Sequence, residues 1–371
     1  MELKGIDVFS GRAVRVRVEA GTVTGVDSLK NQQNLPFISP GLIDIQVNGY
    51  HDCDYSDEDF AAEHLNSIVE ELAAAGVTQH FPTIITSPRE LVRRNLSLIA
   101  EQVSASEEMR AAVPGIHLEG PYISPEDGAR GAHTPKFIRD PDWEEFSIWQ
   151  EAARGLIRLV TLAPERKGAH EFIRRLTASG VKVALGHTAA DGQTIRKAVL
   201  AGASLSTHLG NGSHGLLPRL DNYIWEQLAC DDLWASIITD NFHLPNSVIK
   251  TFWRAKGKDK IILTSDVAVM SGKEPGVYQW GGVNVEVFAD GHLGLAGTEY
   301  LAGAAHLLDW DVPRCITASG CSLAEALAAC TVNPSRYFDL PQSSAGIVPG
   351  SPAHLALFRW QPGDERLLIE Q

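Results

Sequence analysis

Short apolar runs rich in β-branched residues recur along the chain, each five to eight residues long and bounded by glycine, proline or polar turn residues. Eight of them are Gly41–Val47, Val77–Ile84, Val113–Leu118, Leu156–Leu162, Val181–Leu185, Ala203–Thr207, Trp234–Thr239 and Lys260–Thr264. Most are too apolar to present one face to water, so they are predicted as strands buried on both faces, as parallel strands are. Between them the apolar residues recur at helical spacing. Asp57–Ala75 follows Ser56 as a cap and ends at Gly76, Ser87–Val103 opens on a Ser-Pro pair, and His170–Ser179 ends at Gly180. Thr188–Ala201 and Pro245–Lys256 continue the alternation. Strand and helix repeating in this way predict an α/β fold, a (β/α)8 barrel of the TIM type, over residues 41–335.

The ends of the chain have another character. Residues 1–40 hold short alternating segments such as Ala13–Glu19 and Thr22–Val26, and residues 336–371 repeat this in Gly346-Ile-Val-Pro-Gly350 and His354–Trp360. The two termini are expected to meet as one small β-sandwich domain. A further hairpin is expected over Val277–Gly294, where Asp290-Gly291 is a turn signal between alternating runs.

Charge and cysteine usage narrow the function classes. A net charge of −14 argues against nonspecific binding to nucleic acid or an anionic membrane, and an anionic substrate would need local positive groups. The opening Met-Glu-Leu-Lys lacks the apolar stretch of a signal peptide, and no run reaches the length of a membrane span. Five cysteines (Cys53, Cys230, Cys315, Cys321, Cys330) form no CxxC pair, so reduced, mostly buried thiols and a cytoplasmic location are expected.

Candidate chemistry sits where the strands stop. Asp44-Ile-Gln46-Val-Asn48, His117-Leu-Glu119-Gly-Pro121, Gly186-His187-Thr188, Thr207-His208-Leu209 and Thr264-Ser265-Asp266 each end an apolar run with metal- or proton-handling side chains. Imidazoles and carboxylates presented together at barrel strand ends are how such a fold builds a metal site that activates water. The residues point to a metal-dependent hydrolase.

These motifs, with Gly76-Val-Thr78, Pro82-Thr83, Thr161-Leu-Ala-Pro-Glu165, Leu295-Ala-Gly297 and Thr331-Val-Asn-Pro334 in order, resemble the N-acetylglucosamine-6-phosphate deacetylase family of the amidohydrolase superfamily over nearly the whole chain. The resemblance implies Glu119, His187 and His208 as ligands of one divalent ion per subunit. Zinc is the expected ion, and Fe2+, Co2+ or Mn2+ suit the same donors. Many amidohydrolases hold a second metal with His-x-His on the first strand; here those positions are Gln46 and Asn48, which implies a single metal and a Gln46 that hydrogen-bonds its water or a ligand. Asp266 is implied as general base and then general acid. It would take a proton from the attacking water and return it to the departing amine.

By the same resemblance His133 contacts the substrate and polarises the scissile carbonyl, and His243 binds sugar or phosphate. The backbone at Asn211 and Gly212 and the side chain of Arg219, reaching in from the neighbouring subunit of a homodimer, would cradle a 6-phosphate. Gly210-Asn-Gly-Ser-His-Gly215 departs from the family's usual segment, His214 is an addition, and Asn241 replaces a frequent glycine. The expected reaction is removal of the acetyl group from an N-acetylated amino sugar, N-acetylglucosamine-6-phosphate above all. The alternatives are an unphosphorylated or galacto-configured sugar or another N-acyl substrate, and a catalytically silent binding relative. Against that last reading stands the joint presence of Glu119, His187, His208 and Asp266. His51, His80 and His117 are expected to be structural.

Overall fold

The computed structural model describes residues 1–30, 34–341 and 346–370; residues 31–33, 342–345 and 371 of the two terminal segments lie outside the described residues. Eight parallel strands stand in chain order: Leu42–Val47, Val77–Ile85, Ile116–Glu119, Ile157–Leu162, Lys182–Leu185, Leu205–Ser206, Trp234–Ile237 and Ile261–Leu263. All eight fall on the predicted runs. The sheet curls until the first and eighth strands meet. There the Asp266 N–H donates to the Gln46 carbonyl at 3.1 Å and the Asn48 N–H to that of Val267 at 2.9 Å. The fully buried Asp44 carboxylate spans the same seam, accepting from Thr264 Oγ1 at 2.7 Å and from the Ser265 N–H at 3.2 Å. Burial outweighs these donors and pushes its carboxyl up to about 6.

Alternation along the strands divides the apolar residues between two cores. Ile43, Ile45, Phe81, Leu159, Ala184, Leu205 and Ile262 fill the barrel interior, stoppered at the end away from the strand C-termini by Tyr337, Phe338 and Leu340. The outward set packs under helices such as Arg89–Ala105, whose Val92, Leu96, Ile99 and Val103 form one buried stripe. Filling the interior from one end leaves the strand C-termini free to carry chemistry.

Two helices start four or five residues later than predicted. Asp57–Ala75 begins only at Ala62, because Ser56 is used elsewhere: its Oγ accepts from the Ile85 N–H at 2.9 Å and pins the loop to the end of the second strand. Thr188–Ala201 begins at Gly192, where Asp191 caps by accepting from the Thr194 N–H. Thr188 donates its hydroxyl to Glu165 at 2.6 Å instead.

The two ends of the chain meet in a single six-stranded sheet, in the order Leu368–Ile369, Leu355–Arg359, Phe37–Pro40, Glu2–Asp7, Ala13–Glu19, Thr22–Ser28. It has its own small core of Val14, Val16, Val18, Val23 and Ile38. The expected hairpin is a three-stranded antiparallel meander, Gly276–Trp280, Val283–Val287 and Leu293–Leu295. Asp290-Gly291 lies in its second connection, and Gly281-Gly282, both at positive φ, make the first turn. Trp280 of this meander donates its indole N–H to Asp54 at 2.6 Å, which ties the insertion to the barrel mouth. Among the described residues no helix is long and apolar enough to cross a membrane.

Candidate active site

The ends of strands three, five, six and eight bring Glu119, His187, His208 and Asp266 to one cavity of about 340 Å3. All four are at least nine-tenths buried. His187, His208 and Asp266 share a second property: each has a positive φ (48°, 27° and 54°), the left-handed region that costs a non-glycine residue energy. The backbone breaks out of strand geometry at each of these points, in three separate strand–loop junctions.

The donor atoms are packed against one another. His208 Nε2 lies 2.8 Å and His187 Nε2 3.4 Å from the same Glu119 oxygen, and the two imidazole nitrogens are 3.2 Å apart. His133 Nε2 stands 3.3 Å from His187 Nε2 and 3.8 Å from the other Glu119 oxygen. Glu119, His133 and His187 thereby also meet the spacing of a three-donor set. Three imidazole nitrogens turned towards one another cannot all donate. Donors about 2.0–2.2 Å from a shared tetrahedral ion lie roughly 3.3–3.6 Å apart, so the residues fit a divalent cation. The outer nitrogens support it: His187 Nδ1 is 3.0 Å from the Ala129 carbonyl and His133 Nδ1 is 2.9 Å from Thr86 Oγ1, contacts that fix each ring with Nε2 inward.

The electrostatics separate the two carboxylates. Burial by itself would raise Glu119, but hydrogen bonds from His187 and His208 hold it well below the usual carboxylate range. Burial raises Asp266, with the charge of His208 opposing and that of Glu119 adding to the rise. Burial lowers His133 to about 3, with His187 adding to the fall, so the ring is neutral at physiological pH. One acid is committed to the ionised state, and the other is placed to exchange a proton.

The first strand supplies the link between them. Gln46 donates through Nε2 to Glu119 and to Asp266, 2.9 Å each, and lies behind the cavity wall rather than in it. Asn48 does border the cavity and donates to Asp266 at 2.8 Å. Nothing local to Asn48 in the sequence signals this role as a donor to Asp266. His117 is buried between Thr161 and Thr83, lowered to about 4 mainly by burial. His80 is bonded to Tyr55 and His51 lies on the surface against Glu71, so all three are away from the cavity.

Asn211, Gly212 and His243 also line the cavity. Asp240 holds His243 by accepting from its backbone N–H at 2.9 Å and from Nδ1 at 2.7 Å. Arg219 is exposed and is not brought to the cavity of its own chain. Among the described residues neither Lys nor Arg lines the cavity, while Glu299 stands at its mouth with Phe242, Trp280 and Tyr300.

A barrel with this donor set at its strand C-termini defines a metal-dependent hydrolase. Residues 37–366 match the amidohydrolase family. The N-acetylglucosamine-6-phosphate deacetylase of Bacillus subtilis (strain 168) is 32% identical over 326 residues, covering 86% of this chain and 79% of that protein. The N-acetylgalactosamine-6-phosphate deacetylase of Escherichia coli O157:H7 is 28% identical over 91% of this chain and 89% of its own. Among solved structures, a point mutant of N-acetyl-D-glucosamine-6-phosphate deacetylase from Mycobacterium smegmatis, in complex with N-acetyl-D-glucosamine-6-phosphate, superposes with a TM-score of 0.88 at 26% identity, covering 100% of this chain and 97% of that one. The chain belongs to the N-acetylglucosamine-6-phosphate deacetylase family of the amidohydrolases, and it is a hydrolase of amide C–N bonds.

Proposed function

We propose that this chain removes the acetyl group from an N-acetylated amino sugar 6-phosphate, N-acetylglucosamine-6-phosphate first, giving the free amine and acetate. The observation that carries the reading is the convergence of Glu119, His187 and His208 within 3.4 Å of one another beside a raised Asp266. Glu119, His187 and His208 would hold one divalent ion, zinc by the nature of its donors. When bound, the ion would supply Lewis acidity and make the attacking water easier to deprotonate. Asp266, aimed by Asn48 and Gln46, takes the proton as the acetamide carbonyl is attacked and delivers it to the nitrogen as the C–N bond breaks. His133, neutral and fixed by Thr86, donates to the acetamide oxygen as negative charge builds there. Asn211, Gly212 and His243 hold the sugar end.

The phosphate requires a cation that a single chain does not place in the cavity. We infer that a second copy supplies Arg219. Leu216, Leu220 and Trp225 around it are 94%, 81% and 48% exposed, an apolar patch suited to burial in a homodimer. The five free cysteines suit a reducing, cytoplasmic location. A second reading, an unphosphorylated sugar, is favoured by the same lack of Lys and Arg in the cavity and by Glu299 at its mouth.

Acetate release by the zinc-loaded protein tests both, with N-acetylglucosamine-6-phosphate, N-acetylgalactosamine-6-phosphate and N-acetylglucosamine side by side. Turnover of a 6-phosphate with a KM about tenfold higher in Arg219→Ala supports the first reading. Equal turnover of the sugar without phosphate replaces it with the second.

A further inference from the structure

His187 is held in a way that Glu119 and His208 are not. Two loops close on the Nδ1–Cε1 edge of its ring, residues 126–133 after the third strand and 210–214 after the sixth. A Cβ on Gly212 (φ +54°) would lie 2.5 Å from His187 Nδ1 and 2.6 Å from Cε1, and one on Gly131 (φ +58°) would lie 3.0 Å from Cε1. The Ala129 carbonyl faces Nδ1 between them. Only backbone fits here. With that edge occupied, Nε2 alone is presented to Glu119 and His208.

The same two loops are fastened a second time on the outside of the cavity. A Cβ on Gly128 would come within 2.8 Å of His214 Cα. Tyr223, buried at the start of the helix Tyr223–Ala229, accepts from the His214 N–H at 2.8 Å and lies 2.9 Å from His214 Nδ1. The Glu126 carboxylate can only accept, so Nε2 carries a proton, and in the neutral ring Nδ1 accepts from the Tyr223 hydroxyl. His214 Nε2–H then donates to Glu126 Oε2 at 3.2 Å. The chain Tyr223–His214–Glu126 joins a fixed helix to both loops.

We propose that Tyr223, His214 and Glu126 are positioning residues that clasp the two loops around His187 and thereby set how tightly the site holds its divalent ion. The proposal rests on the reading of His187 as a metal ligand. None of the three touches the donor cluster, and their effect passes through Ala129, Gly131 and Gly212 to the ring. Outer partners of metal-bound histidines typically change affinity by ten- to a hundredfold, and one contact further out the lower figure is expected.

Zinc affinity measured by chelator competition on the full-length protein tests this, comparing the unaltered protein with Tyr223→Phe, His214→Ala, Glu126→Ala and Glu126→Gln. The expected result is zinc binding about tenfold weaker in the first three, with Glu126→Gln close to unaltered because it keeps the acceptor. The melting temperature of metal-free Glu126→Ala, and kcat at saturating zinc in every variant, should stay unchanged. Glu126 is exposed, so Glu126→Ala keeps the test open if Tyr223→Phe misfolds. Unaltered affinity in Glu126→Ala and His214→Ala overturns the clasp, as does weakening in Glu126→Ala matched by a lower metal-free melting temperature. An unaltered protein that binds no stoichiometric zinc removes the ligand assignment instead, a separate outcome.

Discussion

The floor and the mouth of the cavity are built by different rules. At the floor, Glu119, His208 and Asp266 sit on strand ends, nearly excluded from water, and each is held by more than one partner. At the mouth, Ser213, Phe242, Glu299 and Tyr300 stand on loops and are half-buried or exposed. Rigid strand ends suit a reaction that needs donors fixed to fractions of an ångström, and loops suit a surface that changes from substrate to substrate. A family can therefore keep its chemistry while its sugar preference changes. The segment that departs, Gly210 to Gly215, lines the cavity through its first four residues, with Gly212 also packed against His187, while Asn241 is exposed beside the cavity-lining Phe242.

Substitutions at the floor should cost the most. Asp266→Asn is expected to lower kcat by about 10²–10⁴ with zinc still bound, checked by acetate release alongside metal analysis. Near-normal turnover would remove Asp266 as the proton carrier. Glu119→Ala should lose stoichiometric metal, since it takes away the oxygen that faces both His187 and His208. Atomic absorption after dialysis reads this directly.

Further below, the barrel wall should respond to pH. Burial holds His80 down to about 3, against 6.5 when unfolded. The unfolded chain takes up a proton below pH 6.5 that the folded one refuses, so the stability His80 leaves intact at pH 7 is lost as pH falls towards 3. Against His80→Gln, the unaltered protein should lose about 3 kcal/mol more between pH 7 and 4, measured by urea midpoints at each pH. A parallel loss in both proteins would place the acid sensitivity elsewhere.

The smallest effect belongs to the mouth. Arg219→Ala should raise KM for a 6-phosphorylated substrate about tenfold and leave that for an unphosphorylated sugar alone, as loss of one exposed charged contact implies. Equal effects on both would mean that Arg219 does not touch the phosphate.

The floor was also the legible half. Barrel strands buried on both faces are forced to be apolar and β-branched, so all eight stood out in the sequence, and so did the polar residues that end five of them. Helix starts were harder, because Ser56 and Thr188 have the chemistry of caps and spend it on Ile85 and Glu165. Contacts made through backbone were not legible. Nothing near Gly131 or Gly212 indicates that each lies against His187, some 56 and 25 residues away in sequence. The nearness of His133 to His187, and the shared donor Gln46, likewise arise only when the barrel closes.

The left-handed backbone at His187, His208 and Asp266 has a consequence for engineering. Each position forces a side chain where glycine or asparagine would sit at ease, at about 1–3 kcal/mol apiece. Heat resistance and turnover therefore pull in opposite directions at these three sites. A library selected only for surviving high temperature should drift towards glycine or asparagine there and emerge inert, whereas one selected for activity should keep all three and find its added robustness elsewhere.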